Sequence, residues 1–251
     1  MAASSFTCRR GRSVGRTNRS LLETLQGVIE RTYDLETGID DIAAFVIGDA
    51  GYQRTYGASD AQGNVVRMVG SGRPWMASPG ARTLVRQADG GIAISIYYPD
   101  SLVECLERHD PTRRLDDANV DAFAILVEEL DHFLVIAERF RAHAAMTLLE
   151  LELHANVTKY LVLRMFLGKL RAPARPSEAD AAWIRHHLFH AGDFAETDAD
   201  LRWRYRQAAR LAARYVSRLD GMPQASRLPE LRRFHRLPSL AKIAHINAAS
   251  R

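Results

Sequence analysis

The sequence predicts an α+β protein, mostly helical, in which a small antiparallel β-hairpin or sheet is followed by two long helices and then by an all-α basic C-terminal region. Three observations predict it. An Asp-Gly-Gly turn joins two apolar runs, "RTLVRQ" and "IAISIYY", as in a β-hairpin. Two long stretches, "LDDANVDAFAILVEELDHFLVIAERFRAH" and "MTLLELELHANVTKYLVLRMFLGK", carry apolar residues at helical spacing with no proline inside. Residues 201–251 hold twelve Lys or Arg against Asp220 and Glu230, on helical patterns.

Each element follows from local signals. "NRSLLETLQGVIERTYD" reads as a helix, with Leu21, Leu22, Leu25, Val28 and Ile29 at helical spacing. "IDDIAAFVIGD" is an apolar run that fits a strand or a helix end. The Gly-rich stretch from Gly48 to Gly80 lacks the strand–loop–helix pattern with Lys of a phosphate-cradling loop. Pro99 ends the second hairpin strand, and "SLVECLERHD" is a short helix. The first long helix is capped by Asp117 or Asn119, and the second stops near Gly168. "RAPARPS" is a linker, followed by three helical stretches that begin at "EADAAW", "LRWRYR" and "LPELRR". The expected organisation is a basic disordered tail at 1–19, an α+β domain at 20–171 and a helical region at 177–251.

A chain of 251 residues that is 47% hydrophobic and 25% charged builds a folded core, which excludes a disordered class. No apolar run reaches the roughly 18 residues a bilayer requires, so no membrane span is expected. The N-terminal stretch has arginines but no hydrophobic segment of the secretory kind. Cys8 and Cys105 lie far apart and suggest neither a disulfide framework nor a Cys metal site, in keeping with a cytoplasmic location. Charge is uneven. Residues 1–19 carry +5 and residues 201–251 carry +10, which leaves −11 for residues 20–200 out of a net +4. The basic C-terminal helices therefore suit a nucleic acid or another acidic partner, or docking on the acidic body itself.

The stretch "VEELDHFL" sets the functional question. Glu128, Glu129, Asp131 and His132 sit inside an otherwise apolar helix, where unpaired charge costs several kcal/mol. Glu128, Glu129 and His132 share a patch, being three or four residues apart. On the second helix Glu150, His154 and Thr158 are spaced by four and share a face. Two polar islands on facing helices neutralise each other best around a metal ion. The bland alternative is a solvated Glu-Glu pair and a core histidine. For His186, His187 and His190 the bland reading is preferred, because no third ligand is evident nearby.

The segment from "GIAISIYY" through "EELDH" to "HANVTKYLVL" resembles the metal-binding half of the zincin metallopeptidases, in particular the minimal ImmA/IrrE type. There an edge strand precedes a helix bearing H-E-x-x-H, and a second helix supplies a glutamate. The resemblance covers roughly 75 residues and is altered at two of four signature positions: Glu128 stands for the first histidine and His154 for the glutamate. The resemblance implies one Zn2+ per chain held by Glu128, His132 and His154, with Glu129 as general base toward a metal-activated water. Asp131, Glu150 and Thr158 become supporting residues, and Tyr97, Tyr98, Tyr160 or a histidine of "HHLFH" steadies the oxyanion. The substrate is then a peptide or protein paired along the edge strand. Two other classes remain: a non-catalytic binding or regulatory protein on a degenerate zincin scaffold, and a ferritin-like di-iron protein. The second fits Glu129-x-x-His132 but not the spacing of Glu150 and His154.

Overall fold

The computed structural model describes residues 19–56, 67–69, 80–88, 91–173, 176–190 and 198–248. The expected basic tail at 1–19, except its last residue Arg19, and the Asp89-Gly90 turn lie outside the described residues.

α1 (Leu21–Tyr33) starts at a capping box, in which Ser20 and Glu23 satisfy each other's backbone amides. The ambiguous apolar run becomes a 3-10 turn, Ile42–Phe45, running into the short strand β1 (Val46–Ile47). The start of the Gly-rich stretch is a helix, α2 (Asp49–Tyr56), where no element was expected; Gly51 sits inside it at ordinary backbone angles. β2 (Arg67–Val69), β3 (Arg82–Ala88) and β4 (Gly91–Tyr97) follow. The hairpin is confirmed, with Arg82 opposite Tyr97 and Ala88 opposite Gly91. The sheet order is β1-β4-β3-β2, and β1 runs parallel to β4.

β4 is therefore not an edge strand. β3 pairs along its whole length, and β1 pairs with Ile96 and Tyr97 on the other side. The outer strands among the described residues are β1 and β2. β1, the extended end of that apolar run, satisfies its backbone by pairing with the end of β4.

After α3 (Asp100–Arg108) come α4 (Val120–Arg141) and α5 (Leu148–Leu170). Asn119 occupies the N-cap of α4 but its side chain ties the preceding loop instead, donating to the carbonyls of His109 and Arg114. Thr147 caps α5 by accepting from the Glu150 amide. The two helices are antiparallel: Lys159 meets Glu128, while Glu152, earlier in α5, meets His132, later in α4. α4 is buried continuously from Leu126 to Val135, and α5 from Glu150 to Tyr160. Helices this apolar on every side must be covered on every side. β3 and β4 cover one flank of α4, and α5 lies between α4 and α7 (Ala199–Gly221).

α6 (Glu178–Arg185) passes into a π-helical turn, His186–His190. The last helical stretch divides at Pro238 into α8 (Gln224–Arg236) and α9 (Ser239–Ala248). These helices share the body's core: one apolar cluster runs from Leu25 through Leu130 and Leu163 to Phe234 and Ile246. The C-terminal region is thus a layer of the same core, built on the α5–α7 packing. No helix among the described residues is long and apolar enough to cross a membrane.

Candidate metal centre

Among the described residues, three side chains converge as a metal-sized group: Glu128 and His132 from α4 and Glu152 from α5. Their ligand atoms all lie within 4.8 Å of one another, and all three residues are buried. His132 Nε2 is 3.7 Å from Glu152 Oε2, and neither ring nitrogen has a hydrogen-bond partner. A fully buried imidazole with both nitrogens unsatisfied is costly, since each lost hydrogen bond carries a desolvation penalty. A cation between Nε2 and the two carboxylates would satisfy the nitrogen that faces them and leave only Nδ1 without a partner. The donor set and the orphaned nitrogen therefore fit a divalent metal. One imidazole and two carboxylates form a harder set than the two imidazoles expected, one that suits Mn2+ as well as Zn2+.

His154 is not part of this group. Its Nδ1 lies 2.9 and 3.0 Å from the two Asp131 oxygens, and its Nε2 lies 3.1 Å from His235 Nδ1. Thr158 donates to Asp131 at 2.7 Å and shares a hydrogen bond with Tyr33 at 3.0 Å. His235 reaches Glu138 at 3.4 Å, at the edge of a cavity of about 330 Å³. Glu150 pairs with Lys242 of α9 and with Arg139 at 3.5 Å. Of the expected supporting residues, Asp131 and Thr158 thus belong to a second polar set with His154, and Glu150 is tied to Lys242 and Arg139 instead. The group that could hold an ion takes Glu152 from the second helix, two residues before the expected His154.

Glu129 is wholly buried and borders the cluster. Thr83 of β3 donates to its Oε2 and to its backbone carbonyl, both at 3.0 Å, while Oε1 has no partner. The sheet thus fixes one carboxylate oxygen and leaves the other free. Burial first, and the Glu128 carboxylate second, push the Glu129 carboxyl well above the usual range. The same two causes push Glu152 up to about 8, against the pull of Lys159 and Arg204. Burial draws His132 down to about 4, although Glu128 and Asp131 act the other way. Lys159 Nζ stands 2.5 Å from Glu128 Oε2. Burial thus disfavours charge on Glu129, Glu152 and His132 alike, and a divalent cation bound between the ligand atoms would favour the ionised carboxylates and the neutral ring.

The three tyrosines are engaged elsewhere. Tyr97 donates to Asp49 at 2.6 Å, Tyr98 to the Leu126 carbonyl at 2.7 Å, and Tyr160 to Asp220. His187 pairs with Asp117 and Asp121, in line with the bland reading of the "HHLFH" cluster.

These shifts fix a pH dependence. The folded protein holds the Glu152 proton up to about pH 8, while the unfolded chain loses it near the ordinary carboxylate value of about 4.5. Stability therefore falls as pH rises through that window, by roughly 1.4 kcal/mol per unit. His132 opposes this only below about 6.5, where the unfolded chain takes up a proton that the folded ring refuses down to about 4. Chelator-treated protein is expected to have a lower urea midpoint at pH 8 than at pH 6.5. A midpoint unchanged over that range contradicts a protonated Glu152.

Compared with protein-family models, with curated proteins and with solved structures, the chain matches none. The candidate centre rests on its own geometry.

Proposed function

We propose that this protein is a metal-dependent hydrolase of peptide bonds, with one divalent cation, Zn2+ or Mn2+, held by Glu128, His132 and Glu152 and with Glu129 as general base. The observation that carries the reading is the buried His132 ring, which has no hydrogen-bond partner and faces two carboxylates within ligand reach. The bound cation supplies Lewis acidity toward a substrate carbonyl. Glu129 does the rest of the proton work. Its free Oε1 takes a proton from the attacking water as the water oxygen bonds to the carbonyl carbon. It then gives that proton to the amine as the C–N bond breaks. Thr83 keeps the carboxylate oriented through the other oxygen. Burial raises the basicity of Glu129, as a general base near neutral pH requires.

The zincin resemblance agrees with this order of residues better than the swapped set did. Glu128-Glu129-x-x-His132 with Glu152 departs from the family pattern only at Glu128. A second reading is favoured by Lys159, which already neutralises Glu128, and by the complete burial of Glu129 and His132. Under that reading the chain is a non-catalytic binding or regulatory protein on the same scaffold.

Chelator-treated protein dialysed against Zn2+ or Mn2+ is expected to retain about one ion per chain by elemental analysis. His132→Ala should retain none, and His154→Ala should retain it, because His154 is committed to Asp131. A parent protein that binds no ion, or an H132A protein that binds like the parent, ends the metal reading. An ion-loaded protein that cleaves nothing in a peptide library moves the case to the binding protein.

A further inference from the structure

α7 presents a second feature, independent of the candidate centre. One face is fixed in the core by Tyr205, Ala208, Leu211, Ala212, Tyr215 and Leu219. On the opposite side Trp203, Arg206, Arg210 and Arg214 follow one another at helical spacing and share a stripe. All four are exposed, Trp203 by 58%. The arginines stand about 6 Å apart along the axis, one helical step of four residues. Like charges at that spacing repel, so the array costs the helix stability and gives nothing back within it. Two arginines are held in place without being neutralised. Arg210 donates to Gln207 Oε1 at 2.6 Å, and Arg214 donates to Asn247 Oδ1 of α9 at 3.1 Å. Among the described residues no carboxylate pairs with Arg206, Arg210 or Arg214. By contrast, Arg218, one turn further on, is paired with Glu230 at 2.9 Å.

From this juxtaposition, a row of three uncompensated guanidiniums, two of them held by side-chain amides, ending in an exposed indole, we infer that α7 binds a single-stranded nucleic acid. The arginines take successive phosphates as counterions, and the Trp203 ring stacks on an unpaired base. The indole decides for a single strand: a duplex hides its base faces, and an acidic peptide has none to offer.

The test uses the full-length protein and fluorescently labelled oligothymidylate, a duplex of the same length, and polyglutamate, read by anisotropy. The single strand is expected to bind most tightly, with log K falling against log salt at a slope of about −2 for three phosphate contacts. Trp203→Ala should weaken single-strand binding about ten-fold and leave duplex binding unchanged, while Trp203→Phe should preserve the preference. The combined Arg206→Gln, Arg210→Gln and Arg214→Gln change should flatten the salt slope. These residues are exposed, so circular dichroism is expected to match the parent. Equal binding of single strand and duplex overturns the assignment. So does tighter binding of polyglutamate, which makes the partner an acidic protein surface, and so does the absence of binding, which makes the stripe a solvated face.

Discussion

Glu129→Gln is expected to lower peptide hydrolysis by about 10²–10⁴-fold while the protein keeps its cation. The amide has the shape of the carboxylate and still accepts from Thr83, so the α4–β3 contact persists. What it loses is the capacity to take a proton through Oε1, the oxygen without a partner. The three ligand atoms belong to other residues, so ion content should not change. Stability gives a further readout. Burial and Glu128 make an ionised Glu129 unfavourable, and a neutral amide removes that penalty. Metal-free E129Q protein should therefore melt no lower than the parent at pH 8. If the ion leaves together with the activity, Glu129 is a ligand and the division of roles given above is wrong.

Lys159→Met is expected to destabilise the metal-free protein by about 3–5 kcal/mol, because it removes the positive charge that Lys159 holds against the buried Glu128 carboxylate. Two further measurements isolate the cause. Glu128→Gln together with Lys159→Met removes both charges and should fall close to the parent, as buried pairs replaced as a unit often do. Adding Zn2+ or Mn2+ to the single variant should restore much of the loss, because the cation replaces the missing positive charge and binds only the folded site. Urea denaturation of the three proteins with and without metal gives the comparison. A Lys159→Met protein as stable as the parent, with no gain from metal, would show that the pair does not set the charge of this site.

Much of the fold was legible in local pattern. Turn chemistry marked the β3–β4 hairpin, and helical periodicity marked α1, α4, α5 and α7, because these signals depend on neighbours in sequence. The charged island at 128–132 was legible for the same reason: Glu128 and His132 are one turn apart on any helix. Local pattern failed at α2, for which the Gly-rich stretch gave no element, and at β4, whose position in the sheet depends on a strand some fifty residues earlier.

The partner of the island was decided by tertiary structure alone. α5 is buried on every face, so its apolar pattern does not reveal which side meets α4. Spacing by four selected Glu150, His154 and Thr158, a true face of the helix, but one that meets Lys242, Asp131 and Tyr33. Glu152 and Lys159 are seven residues apart and within roughly 20° of each other around the axis, so they too share a face. Only the antiparallel packing shows that this face meets Glu128 and His132. His235, which completes the Asp131–His154 set, comes from α8 and gave no local signal at all. The sequence by itself determined which side chains needed neutralising, since an apolar helix cannot carry bare charge. The packing angle and rotation of α4 against α5 determined which atoms neutralise them, because those depend on contacts between residues far apart in the chain.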